Sequence, residues 1–183
     1  MSRLRLSIAA VTALVAVVAG ESRAATTAAP IANVGQAIGP ADLAGMFAIP
    51  PDGAGLPPGR GTAVEGEAVY AATCVACHGD KLQGVKATGG PALVDGRGTL
   101  ATGKPLKTVE SYWPYSTTLF DYVKRAMPFN APGSLSDDQV YAVVAYILAQ
   151  SHIIAASDVV DARTLPTIAM PNRNGFFPDP RPD

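Results

Sequence analysis

Cys74-Val75-Ala76-Cys77-His78 decides how this chain folds. It reads C-x-x-C-H, the attachment pattern of a c-type haem. Two thiols at this spacing lie close together on about one helical turn, where each can add across a vinyl group of one porphyrin. The adjacent His78 then brings an imidazole nitrogen to the iron. These are the only two cysteines in 183 residues, so no disulfide framework competes for them. Two other readings fare worse. A structural zinc site needs four ligands, but the chain has no second cysteine pair, and its one other histidine, His152, is remote in sequence. A thioredoxin-like redox motif needs a βαβ context, which the sequence lacks.

Outward from the motif, the pattern predicts helices. Thr62-Ala63-Val64-Glu65 has the form of a capping box, so a helix is expected over 63–76, delivering the motif at its end. Gly66 sits inside that helix four residues before Tyr70. A mid-helix glycine costs about 1 kcal/mol, so another helix is expected to pass close by. After His78 comes a glycine-rich loop ending in Gly90-Pro91-Ala92-Leu93. The Pro91 carbonyl is a candidate acceptor for the second ring nitrogen of His78; alternatively Pro91 merely ends a turn. Residues 94–117 read as a polar loop closing on Ser111-Tyr112-Trp113-Pro114-Tyr115. Here Trp113 or Tyr115 either donates to a haem propionate or packs as ordinary core.

A second helix is expected over 118–126, with Leu119, Tyr122, Val123 and Ala126 on its buried face. It stops at Met127-Pro128 because proline disfavours helical geometry in the residue before it. Met127 at the head of a proline-bounded loop is well placed to be the sixth iron ligand. Met170, in Met170-Pro171-Asn172, competes with it, and Met46 lies upstream. Any lone methionine can instead be core filling. A third helix follows Ser136-Asp137-Asp138-Gln139, another capping box, and runs to about Gln150. Its apolar face is Val140, Val143, Val144, Ile147 and Leu148, with Tyr146 beside it to cross Gly66. His152 falls at the helix end as a surface residue or a cap.

The remainder divides simply. Residues 1–24 read as a secretory signal peptide: Arg3 and Arg5, an apolar run over 6–18, then Ser22-Arg23-Ala24. An uncleaved anchor is the alternative, although the run is short for a bilayer span. Cleavage would remove three arginines and one glutamate, taking the net charge from −1 to −3, which argues against nucleic acid as a partner. Residues 25–61, rich in Ala, Gly and Pro, form an extended N-terminal arm, with one short helical turn possible over 41–47. Residues 62–150 are the haem domain, and 151–183 an aperiodic C-terminal tail that lies across its own domain or clasps a partner. The expected fold is all-α: three main helices around a covalent haem, with long irregular arms. No paired-carboxylate site and no phosphate-binding glycine loop is present.

Taken together, these features resemble class I cytochromes c. The resemblance covers about 62–150: Gly66, Tyr70, the C-x-x-C-H motif, Gly90-Pro91-Ala92-Leu93, Met127-Pro128 and a last helix with Tyr146. It implies that the first and last helices cross at the glycine and aromatics, that the Pro91 carbonyl orients His78, and that Met127 closes the opposite side. A narrower resemblance rests on Leu56-Pro57-Pro58-Gly59, Lys107-Thr108-Val109, residues 111–122, Arg125-Ala126-Met127-Pro128-Phe129, Met170-Pro171-Asn172 and Gly175-Phe176. These look like the haem subunits of periplasmic molybdenum-dependent sulfite and sulfane (Sox-type) dehydrogenases. That likeness adds Arg125 to the implied haem-binding set of Cys74, Cys77, His78, Pro91, Trp113 and Met127, with His78 and Met127 on the metal. It implies a molybdopterin-containing partner subunit and a single haem c. The function expected is one-electron transfer in the periplasm, on to a downstream cytochrome or oxidase, without catalysis by this chain and without a membrane span after cleavage. The alternatives are the haem subunit of another periplasmic dehydrogenase, such as one for alcohols, or a peroxidase or gas sensor with an exchangeable sixth position.

Overall fold

The computed structural model describes Gly39 and residues 49–181; the expected signal peptide, the turn over 41–47 and Met46 lie outside the described residues. Residues 49–181 belong to one unit, built on α1 (Ala63–Thr73), a one-turn helix α2 (Val75–His78), α3 (Ser116–Ala126) and α4 (Asp137–Gln150). Both capping boxes form. Thr62 N donates to Glu65 Oε2 at 2.8 Å while Glu65 N donates to Thr62 Oγ1 at 3.3 Å. Ser136 and Gln139 exchange the equivalent pair at 2.9 and 3.3 Å. Each box occupies amides that a helix start leaves without a partner.

The expected helix over 63–76 is in fact two. It closes at Thr73, and Cys74 turns the chain (φ −119°, ψ −33°) before the single turn of α2. Thr73 Oγ1 donates back to Val69 O at 2.7 Å, a local bond that competes with helix continuation.

Helices α1 and α4 cross at Gly66. A Cβ there would overlap the carbonyl oxygen of Ala142 and come within 2.8 Å of Tyr146 Cβ. One turn on, the Tyr70 and Tyr146 rings lie 5.1 Å apart. Helix α4 is buried on every side from Val140 through Leu148 rather than on one stripe, as befits a helix at the centre of a fold. The residues that cover its remaining sides come from the two arms. Tyr141 donates to Pro57 O at 2.9 Å, and Arg60 N donates to Asp138 Oδ1 at 2.8 Å.

Three expectations need correction. The fold is not purely helical, because β1 (Arg60–Gly61) and β2 (Val160–Asp161) pair antiparallel, Arg60 opposite Asp161. Two-residue strands carry no periodicity to read. Tyr122 is not on the buried face of α3; it is 47% exposed, and Ser116, Thr117, Leu119, Phe120 and Val123 fill that side instead. α3 also starts at Ser116, two residues early. The tail lies across its own domain: Val160, Leu165 and Met170 enter the main core, and Ser116 Oγ donates to Leu165 O at 2.6 Å. His152 ends α4 in a left-handed conformation (φ 53°). His152 N and Ile153 N donate to Ala149 O and Leu148 O at 2.9 and 3.0 Å, the paired bonds of a Schellman ending.

Candidate haem site

The site is built around α2. Cys74 and Cys77 are free thiols, both half-buried. Burial pushes the Cys74 thiol pKa up, and Thr73 Oγ1 lies 3.4 Å from its sulfur. What fixes His78 is the chain that returns beside it. Cys77 O accepts from Val85 N at 3.1 Å and His78 O from Gly84 N at 2.8 Å, while Val85 N also donates to Gly90 O at 3.0 Å. Gly90 then passes so close to Cys77 that any Cβ would overlap the Cys77 carbonyl oxygen. Only glycine allows that approach, and it brings Pro91 O to 2.8 Å from His78 Nδ1.

A carbonyl oxygen can only accept, so Nδ1 donates its hydrogen, and in the neutral ring Nε2 then carries the lone pair. That is the tautomer a metal requires of a histidine ligand, with its orientation held by the second nitrogen. The loop is tied to the helix crossing as well, because Tyr70 donates its hydroxyl hydrogen to Gly79 O at 2.7 Å. Burial, with Cys74, Tyr146 and Asp80 nearby adding to it, holds the Tyr70 pKa well above the ordinary phenol range. Sequence reasoning placed Tyr70 with Gly66 at the expected helix crossing and gave its hydroxyl no partner. Its hydroxyl was a sign of this role, since a buried phenol oxygen needs a partner.

The remaining candidates are spread around α3. Met127 caps that helix in extended conformation, its N donating to Val123 O at 3.1 Å, and it is half-buried against the core. Phe129 beyond it is 84% exposed. Met170 is 3% exposed, enclosed in the core. Trp113 packs edge-on to Tyr122, with ring centroids 5.7 Å apart. Arg125 is held by Asp121, its Nε 2.9 Å from Oδ1, and the same carboxylate oxygen accepts from Ile49 N at 3.1 Å. Tyr115 lies under the Arg173 guanidinium at 4.8 Å. A cleft of about 400 Å³ between Arg97, Ser111 and Asn172 includes none of Cys74, Cys77, His78, Pro91, Trp113, Arg125 and Met127. Among the described residues no group of three or more His, Cys, Asp and Glu side chains is placed to hold a metal ion by itself.

The cytochrome c family pattern matches residues 63–151. The solved structure of the sulfane dehydrogenase SoxCD from Paracoccus pantotrophus aligns at 36% identity with a TM-score of 0.71, covering 82% of this chain and 73% of that one. The chain belongs to the cytochrome c family. A thiosulfate dehydrogenase of Stutzerimonas stutzeri (strain A1501) is 34% identical over 94 residues, which is 50% of this cytochrome but only 28% of that relative. Membership carries a covalently bound haem c, and the residues present fit it. Two unpaired thiols sit on one turn, the histidine beside them is fixed in the ligating tautomer, and glycine stands where a side chain would block that arrangement. No helix among the described residues of this cytochrome is long and apolar enough to cross a membrane.

Proposed function

We propose that this cytochrome is a one-electron carrier of the periplasm, exported by residues 1–24, that receives electrons from a molybdopterin-containing dehydrogenase oxidising sulfur compounds and passes them to a downstream cytochrome or oxidase. The observation that carries the reading is the His78 Nδ1 to Pro91 O bond of 2.8 Å. It leaves Nε2 as the atom that would hold the iron. Held by thioethers to Cys74 and Cys77, a haem supplies the ferric–ferrous couple. Met127 would hold the iron through its thioether. It sits partly open at a helix end, whereas Met170 is enclosed by protein on all sides. Methionine opposite histidine raises the reduction potential, which suits a chain that accepts electrons. Trp113 contributes pocket wall together with Tyr122, and Arg125 a half-exposed guanidinium already paired with Asp121. The names of the two relatives, a sulfane and a thiosulfate dehydrogenase, support the sulfur context.

The ferric protein should be low-spin, with a far-red sulfur-to-iron band that disappears in Met127→Ala and survives in Met170→Ala. A high-spin ferric spectrum would defeat the carrier reading. The partner is tested by co-purification from the native periplasm, where a molybdenum-containing subunit is expected. A cut after residue 152 would remove Val160, Leu165 and Met170 from the core, so the tail's part in binding is tested with Phe177→Ser, a residue 83% exposed.

A second reading is that this chain is the haem domain of an enzyme that itself oxidises a sulfur compound, since one relative is named a thiosulfate dehydrogenase. Reduction of the purified haem by thiosulfate without added protein would favour it.

A further inference from the structure

Residues 127–136 connect α3 to α4 and carry Met127 at their head. The connection has little to hold it. Its own backbone bonds are local, Ala131 N to Pro128 O at 2.9 Å and Ser134 N to Ala131 O at 3.3 Å. Residues 129–134 are exposed, and Leu135 is the next to be buried. One side chain spans both banks. Lys124, in the last turn of α3, places Nζ 2.6 Å from Asp137 Oδ1 in the first turn of α4, and donates to Leu135 O at 3.3 Å. The approach to Asp137 is a charge pair rather than a directed hydrogen bond, since that oxygen has no well-angled donor. Each charge also stands at the helix end that favours it, the cation at a C-terminus and the anion at an N-terminus.

We infer that Lys124 is a positioning residue for the sixth ligand: by tying the last turn of α3 to Leu135 and Asp137, it holds the Met127 loop at its closed span. The inference rests on the reading of Met127 as that ligand. An external ligand can take the sixth position only when the thioether leaves and the loop gives way. Lys124 touches neither Met127 nor the haem-bearing turn in any contact described above, so its effect is confined to the second of these.

The test uses the full-length holoprotein and imidazole as the external ligand. Lys124→Met keeps the aliphatic stem and removes the charge; Lys124→Arg keeps the charge. Affinity of the ferric protein for imidazole is followed through loss of the far-red band. Lys124→Met should retain the band without imidazole and bind imidazole about three- to tenfold more tightly, the size expected for a half-exposed pair plus one hydrogen bond. Lys124→Arg should restore wild-type affinity, and adding Asp137→Asn to Lys124→Met should change it little further. Wild-type affinity in Lys124→Met, with the band still lost in Met127→Ala, overturns the positioning role alone. A band that survives in Met127→Ala overturns the ligand reading and this inference with it.

Discussion

The carbonyl oxygen of Cys77 occupies the space in which Gly90 would carry a side chain. One residue later, the Pro91 carbonyl meets His78 at 2.8 Å, so backbone packing between these two positions sets the tautomer of the ligand. Gly90→Ala must push the return strand off Cys77. We expect a loss of about 1–3 kcal/mol in denaturant unfolding, as for overpacking elsewhere. A changed reduction potential should accompany it, because the hydrogen bond to Nδ1 tunes the histidine. Equal stability and potential in Gly90→Ala would show that the strand adapts without cost.

Tyr70→Phe removes the shorter of two hydrogen bonds to Gly79 O, which keeps the one from Leu82 N at 3.2 Å. Losing one hydrogen bond to an acceptor that keeps another costs about 0.5–1.5 kcal/mol. Urea unfolding should report this with the helix crossing otherwise intact, because the ring still packs on Tyr146 at 5.1 Å.

Much of this was legible beforehand, and the reasons are local. Thr62 with Glu65 and Ser136 with Gln139 announce helix starts because both partners lie within one turn. Gly66 announces a crossing because a mid-helix glycine needs an outside reason. The turn at Cys74 was not foreseen, since it depends on how Thr73 spends its hydroxyl. Tyr122 was misassigned because periodicity gives spacing, while the side of α3 that is covered depends on Leu165 and α4, remote in sequence. The tail's Val160 and Met170 likewise join the core through long-range packing that no window of sequence displays.

Burial, with Asp137 and Asp161 adding to it, pushes the Tyr141 phenol up to about 12. In the unfolded chain a tyrosine ionises near pH 10. The folded state therefore holds this proton more firmly, and the stability it contributes is complete below pH 10 and lost as pH rises toward 12. Tyr141→Phe should flatten the decline in unfolding free energy between pH 10 and 12, whatever it does to stability at neutral pH through the lost bond to Pro57 O. An unchanged slope would mean that Tyr141 does not govern this limb.

Thr117 is fully buried in the first turn of α3, and its hydroxyl has no hydrogen-bond partner among the described residues. An unsatisfied buried hydroxyl is a liability of about 1–3 kcal/mol that an apolar group of the same shape removes. Thr117→Val should leave the protein as stable as wild type or more so in thermal unfolding. A clear loss would reveal a partner for that oxygen in the holoprotein.

The most direct test is the intact mass of the exported protein. Wild type should carry the added mass of one haem, retained under denaturing conditions and lost when Cys74 and Cys77 are both replaced by serine. Exported wild-type protein with both thiols bare and no added porphyrin mass would contradict the account at its root.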